Sequence, residues 1–302
     1  MTSQLTSQAV LTVQAPAKIN LGLEVLRRRA DGFHDLNTIF APLTLFDTIT
    51  LSLRSDTGFT LQISGNDTLS GGDDNLCVKA ARLLGQTISQ PTGTPLPGID
   101  IHLTKRIPTG GGLGGGSADA AAVLVGAAQL WGNPVSPETL HQVGLMLGSD
   151  VPFFLEGGVA HAAGRGEILT SHPITLPWSL LLVNPGIHVA TPWAFKALNR
   201  ATERPATNLV ELLLSGMDNP ASLRGQMVND FEEAVMLEYP AIKQIKQRMY
   251  DAGAMFALMS GSGSTLFGLF ATVQDAKVAS AQFPECWNAV ARFHEGGVVV
   301  ER

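Results

Sequence analysis

Three short stretches carry residue types that could do chemistry together. The first is Pro108-Thr-Gly-Gly-Gly-Leu-Gly-Gly-Gly-Ser-Ala118, with six glycines in the seven positions 110–116. Successive glycines let backbone N–H groups converge with no side chains in the way, and a helix beginning there adds unpaired N–H groups and a positive dipole end. Such a cradle suits a polyphosphate, and ATP is the ligand it points to. The second stretch is Ala15-Pro-Ala-Lys-Ile-Asn-Leu-Gly-Leu23. Side chains two apart on a strand share a face, so Lys18 and Asn20 project together beside apolar neighbours. The third, Ser260-Gly-Ser-Gly-Ser-Thr265, lies between two apolar strands and offers another backbone nest with hydroxyls.

Each stretch also has a plainer reading. The first could be a flexible turn before a helix, although so many glycines would weaken a connection that had no close approach to make. Lys18 taken alone is as well explained as an edge-strand charge that keeps other strands away. Ser260 to Thr265 alone is a hairpin loop. Gly110-x-Gly112-x-x-Gly115 formally fits the dinucleotide fingerprint, but an overlapping glycine run fits many patterns, and no short parallel strand-helix-strand unit with a following acidic residue accompanies it. A P-loop is excluded, because Gly116 is followed by Ser117 and Ala118 where that motif needs Lys and then Ser or Thr.

The elements that must position these groups come from a chain of 302 residues, a length that suits about two domains. With 15 % charged and 45 % hydrophobic residues it is no disordered tail. Twenty Lys plus Arg against 26 Asp plus Glu give a net charge of −6, which excludes a broad basic surface for nucleic acid and leaves room for a local anion site. Cys77 and Cys286 are too few for a disulfide framework and lack metal-ligand spacing, as in a reduced intracellular protein. The first 17 residues carry no charge and none of the marks of a secretory leader, and read as a frayed start. No apolar run reaches the ~18 to 20 residues of a membrane span, so a soluble, cytoplasmic protein is expected, as would be a plastid enzyme after processing.

Strands are expected at 17–26, 48–53, 59–63 and 99–103, with an Asp31-Gly32 hairpin turn after the first. Helices are expected at 75–84, at 117–130 and from Ser136-Pro137, a cap residue followed by Pro. Beyond Gly157-Gly158, strands at 159–163, 179–183, 255–259, 266–270, 288–293 and 298–300 mix with helices at 193–199, 208–214, 241–252 and 273–283. Both halves are therefore α+β. The division is placed at 1–165 and 166–302, within a window of 155–175 that holds no clean linker.

In chain order, the three stretches resemble the GHMP kinases, and with them go Arg-Ala-Asp-Gly-Phe-His34 and Gly148-Ser-Asp-Val-Pro-Phe-Phe154. The resemblance runs from Ala15 to about Phe270. It implies an N-terminal ribosomal-protein-S5-like α/β domain, a C-terminal ferredoxin-like α+β domain and an active site in the cleft between them. The combination is most similar to the branch that phosphorylates the 2-hydroxyl of a cytidine-diphosphate-linked methylerythritol with ATP and Mg²⁺, in the non-mevalonate isoprenoid route, acting as a monomer or homodimer.

Carried over residue by residue, the resemblance makes Asp150 the catalytic carboxylate and Lys18 its companion. Pro108, Thr109, Gly110, Gly111, Gly112, Leu113, Gly114, Gly115, Gly116, Ser117 and Ala118 form the phosphate loop, with Asn75 and Leu76 on the adenine side and Lys105 nearby. Asn20, Phe33, His34, Phe195, Gly261 and Ser262 fall to the acceptor, Phe33 stacking on the base and His34 bonding its edge, with Trp193 competing with Phe195 as the second ring. No protein ligand for the metal is assigned, Ser117 being only a candidate. Phe33 replaces the family's usual Tyr, keeping the ring and losing a hydroxyl, and Ala118-Asp119 replaces Ser-Asn, which sets a carboxylate close to bound phosphate. Alternatives are another GHMP kinase with a small alcohol acceptor such as homoserine or mevalonate, or a non-catalytic nucleotide-binding regulator on the same fold.

Overall fold

The strand that carries Lys18 is far longer than its local alternation indicates. In the computed structural model, which describes residues 10–66, 68–91, 93–132, 135–199 and 202–301, β1 spans Val10–Arg28 and β2 spans His34–Leu53, joined through Asp31-Gly32. Residues 10–16, expected to fray, are paired with β2, and Val13 and Ala15 are fully buried. The rest of that expected frayed start lies outside the described residues. There follow β3 (Phe59–Ser64), α1 (Leu76–Ser89), β4 (Ile99–Thr104), α2 (Gly115–Leu130), α3 (Pro137–Leu147), α4 (Val151–Glu156), β5 (Val159–Gly164) and β6 (Ile168–His172). The remainder is β7 (Ser179–Asn184), α5 (Thr191–Leu198), α6 (Leu209–Ser215), α7 (Glu232–Glu238), α8 (Pro240–Asp251), β8 (Phe256–Met259), β9 (Leu266–Phe270), α9 (Val273–Ser280), β10 (Trp287–Arg292) and β11 (Val299–Val300).

One sheet has the order β11-β1-β2-β4-β3, with β5 pairing along the first part of β2 and β6 on β5; only β3 and β4 are parallel. The other is antiparallel, β10-β7-β9-β8. Two elements beyond residue 165, β6 and β11, thus belong to the first sheet. The sequence pattern gave no sign of β6, α4 or α7. β6 has no buried face, and α4 and α7 are too short to display a helical period.

The core follows from burial on both faces of each sheet. Val13, Ala15, Ile49 and Leu51 pack against α1 and α2. Ala17, Ile19, Leu21, Ile39 and Ala41 pack against Leu180, Leu182, Phe267 and Leu269 of the second sheet. The far face of that sheet, with Leu181, Val183 and Met259, meets Ile242, Met249 and Ala276 of its own helices. The result is two sheets face to face between helical layers. Helix α2 is buried almost all round, so its sequence is uniformly apolar and small rather than amphipathic.

A β-bulge decides the site. Val13 and Ala15 face the helices, yet Ala17 and Ile19, which keep the same parity, face the second sheet. The register of β1 on β2 shifts between Pro16 and Lys18, where Leu43, Thr44 and Leu45 of β2 stand against Ala17 alone, and the side chains of both strands change face across this irregularity. Lys18 and Asn20 therefore point to the helical side, where α2 and α4 begin.

Candidate active site

Lys18 and Asn20 are 4 % and 2 % exposed, and their polar ends are satisfied by one another and by their surroundings. Lys18 Nζ donates to Asn20 Oδ1 at 2.7 Å and lies 3.5 Å from Asp150 Oδ2 and 4.4 Å from the centre of the Phe40 ring. Asn20 Nδ2 donates to Thr38 Oγ1 at 2.8 Å, and its backbone N–H donates to Ser260 Oγ at 3.1 Å. Burial holds the Lys18 ammonium below its usual range, against the pull of Asp150. Asp150 is the first residue before α4, but its side chain makes no cap bond, which leaves the carboxylate free to face the lysine and the cleft.

The glycine loop reaches the same point from the other side. Gly112 has φ +79° and a methyl there would lie 2.0 Å from the Ser260 carbonyl oxygen; Ser260 Oγ in turn donates to the Gly112 carbonyl at 2.8 Å. Gly114 has φ +71°, and a methyl there would meet Phe154 at 2.7 Å and Lys18 Cγ at 3.0 Å. The Lys18 N–H donates to the Leu113 carbonyl at 2.9 Å, so the three sequence stretches are stitched into one unit. Leu113 is buried, Gly116 is exposed, and α2 starts at Gly115 with no side-chain cap, leaving its first N–H groups open. Ser117 and Ala118 form the first turn of α2, while Thr109 Oγ1 accepts from Asn66 Nδ2 at 3.1 Å beyond Pro108.

Three donor-side expectations are modified. Asn75 is the N-cap of α1, accepting from Cys77 N at 2.9 Å and donating to the Ser70 carbonyl at 2.8 Å, so its amide is already occupied; Leu76, by contrast, lies 3.8 Å from where a Gly116 methyl would be. Lys105 does not face the open side of the loop. It is 7 % exposed behind Gly115, bonded to Asp47 and, at 2.8 Å, to Asp119. Asp119 is therefore turned inward onto Lys105 instead of standing beside bound phosphate, because the buried helix gives an isolated carboxylate no other partner.

On the acceptor side a cleft of about 1000 Å³ is lined by Lys18, Asn20, Gly112, Gly114 and Asp150 at one end and by Phe33, His34 and Phe195 at the other, with Gly261 and Ser262 along its wall. Phe33 is 52 % exposed. His34 stacks on Phe195 with centroids 4.5 Å apart, and Phe195 packs edge-on to Phe231 at 4.9 Å. Trp193 instead packs on Tyr239 at 5.7 Å and does not line the cleft. Burial and then the nearby Arg28 hold the His34 imidazole below its usual range, leaving it neutral, with one donor and one acceptor nitrogen. Thr38, Phe40, Thr191 and Ser260 complete these contacts, and only the last stood in a recognised motif; Thr191 Oγ1 and Ser262 Oγ are bonded at 2.9 Å.

The arrangement is that of an enzyme that moves a phosphoryl group from a nucleotide to a small alcohol, and the chain belongs to the GHMP kinases. Residues 75–158 match the family model described as GHMP kinases N terminal domain, and residues 206–289 match that described as GHMP kinases C terminal. Within the family, the 4-diphosphocytidyl-2-C-methyl-D-erythritol kinase of Chlorobium phaeobacteroides is 43 % identical over 269 residues, 88 % of each chain. The enzyme of that name from Geobacter metallireducens is 43 % identical over 89 % of this chain and 92 % of its own. A crystal structure of 4-(cytidine 5'-diphospho)-2C-methyl-D-erythritol kinase superposes with a TM-score of 0.76 at 36 % identity, covering 93 % of this chain and 99 % of that one. Homoserine kinase from Cytophaga hutchinsonii, at 22 % identity and TM-score 0.73 over both whole chains, shares the fold.

Proposed function

We propose that this chain phosphorylates the 2-hydroxyl of 4-diphosphocytidyl-2-C-methyl-D-erythritol with ATP, giving the 2-phosphate and ADP. The observation that carries the reading is the Lys18 and Asp150 pair, 3.5 Å apart, between the glycine loop and the Phe33 and His34 turn. In the reaction the acceptor oxygen bonds to the γ-phosphorus, the bond from that phosphorus to the β,γ-bridging oxygen breaks, and the hydroxyl proton passes to the Asp150 carboxylate. Lys18 pairs with Asp150 and offsets the charge in transfer, and Asn20 orients the lysine. The N–H groups of the loop and of the start of α2 hold the phosphates. His34 reads the edge of cytosine and Phe33 and Phe195 supply rings for its faces.

Mg²⁺ bound to ATP would neutralise the β- and γ-phosphates. The described residues hold no group of three His, Cys, Asp or Glu side chains for a metal ion, and Asp119 is committed to Lys105, so the proposed protein donor is the Ser117 hydroxyl, the remaining ligands being phosphate and water. The division at 1–165 and 166–302 is proposed as the two sheets with their helices, β6 and β11 of the second stretch being paired on the first sheet. A cytoplasmic location is proposed from the bacterial relatives; no helix among the described residues is long and apolar enough to cross a membrane.

The test is ADP release with the cytidylyl substrate beside homoserine and mevalonate. Turnover confined to the cytidylyl substrate is expected. Turnover of homoserine or mevalonate alone would move the chain to another branch of the family, and ATP binding with no alcohol turned over would make it a regulator.

A further inference from the structure

The acceptor named above contains a diphosphate, yet none of the residues placed at its base or its reacting hydroxyl is a free cation. Among the described residues, four cations line the cleft, Lys18, Arg28, Arg165 and Lys196, and Asp150 is the one carboxylate, in a chain whose net charge is −6. Lys18 is engaged at the chemical end. Arg28 and Lys196 are exposed, at the end of β1 and on α5.

Arg165 is placed differently. It sits in the turn between β5 and β6 and lines the cleft. Its neighbour Gly166 abuts the proposed base, since a methyl there would lie 3.6 Å from Asp150 Oδ1. The Arg165 guanidinium lies 4.8 Å from the centre of the Phe33 ring. The stretch between those two contacts is where the link between a cytosine on Phe33 and a hydroxyl at Asp150 has to run, and in this acceptor the link is a diphosphate.

The guanidinium is available for that anion. Glu167 spends one oxygen on the Arg165 backbone N–H at 2.5 Å, which holds the turn, and its other oxygen reaches Arg165 Nε only at 3.4 Å. Asp31, the other carboxylate nearby, is bound by Arg29 Nε at 3.0 and 3.2 Å. The Arg165 side chain remains one-third exposed. A planar fork stacked on a ring presents its N–H edges in a fixed plane, the geometry that suits bidentate phosphate contacts.

We propose that Arg165 binds the diphosphate of the acceptor, with Phe33 as the platform that orients its guanidinium, so that residue 165 selects nucleoside-diphosphate acceptors over uncharged alcohols. The proposal rests on the cytidylyl-diphosphate reading of the cleft. It is tested by calorimetric binding of cytidine and of CDP, with a non-hydrolysable ATP analogue saturating the donor site, to the wild type, Arg165→Gln, Arg165→Lys, Arg28→Gln and Lys196→Gln. The wild type should favour CDP over cytidine by about tenfold or more, the scale of one charge-assisted contact. Arg165→Gln should lose that preference while keeping cytidine affinity and thermal melting, and Arg165→Lys should recover part of it. A CDP preference that survives Arg165→Gln, or that vanishes only in Arg28→Gln or Lys196→Gln, overturns the proposal while the cytidylyl reading stands. A wild type that binds neither cytidine nor CDP overturns both.

Discussion

Two buried lysines stand on either side of the start of α2, one behind Gly114 and the other behind Gly115, and they do opposite things. Lys18 has one carboxylate, Asp150, whose side chain is 32 % exposed to the cleft. Lys105 has two, Asp47 and Asp119, with side chains 0 % and 4 % exposed. Burial lowers the Lys18 ammonium and its single partner does not restore it; burial acts on Lys105 too, but Asp119 and Asp47 together outweigh it and raise that ammonium. Asp47 also accepts the backbone N–H groups of Arg106 and Ile107, at 2.6 and 2.9 Å, which closes the cluster. A lysine with one half-open partner keeps charge to offer an incoming ligand. A lysine enclosed by two carboxylates has none left, and it fixes the shape of the loop it lies behind.

The comparison is broken most sharply at the open pair. Asp150→Asn and Lys18→Ala should each lower turnover by roughly a thousandfold or more in the ADP-release assay with little change in melting, given what general base and charge stabilisation supply together. Near-normal turnover in Asp150→Asn would remove the base from that position. At the closed pair the expected effect is on stability. Lys105→Met leaves two buried carboxylates facing each other and should cost about 3–5 kcal/mol in denaturant unfolding. Unchanged melting with a raised KM for ATP would instead place Lys105 with the phosphates.

A smaller effect sharpens the acceptor end. His34→Ala should raise the acceptor KM by about tenfold, the scale of a lost buried hydrogen bond, and leave the KM for ATP unchanged. The last prediction concerns the second carboxylate on Lys105. One oxygen of Asp119 is buried with no hydrogen-bond partner, and burial pushes its carboxyl up to about 7 from 3.8. A folded value above the unfolded one means that the folded state holds the extra proton. The stabilisation is therefore complete below about pH 4 and is lost as pH rises through about 7. Melting of the wild type followed from pH 5 to 8 should carry this downward slope, and Asp119→Asn should flatten it.

Much of this was legible in the order of residues. The glycine loop, the helix after it, the Asp31-Gly32 turn and the capped start at Ser136 rest on local chemistry that a short window contains. The inward turn of Asp119, the occupied amide of Asn75 and the packing of Trp193 on Tyr239 were not, since each depends on a partner remote in the chain or on a cap geometry. Arg165 had no local signal at all: in the sequence it is one arginine in a polar turn, and its surroundings come from Phe33 under its guanidinium and Asp150 beside the neighbouring Gly166.

The sequence by itself determined which chemical groups the protein owns, because glycine runs, caps and strand periodicity are set by the conformational limits of a few neighbouring residues. Only the tertiary structure decided which of two similar lysines faces the cleft. That choice depends on the irregular pairing of β1 with β2 across which Lys18 changes face, and on Asp47 and Asp119 meeting around Lys105 from separate elements, and burial and charge pairing act through space rather than along the chain.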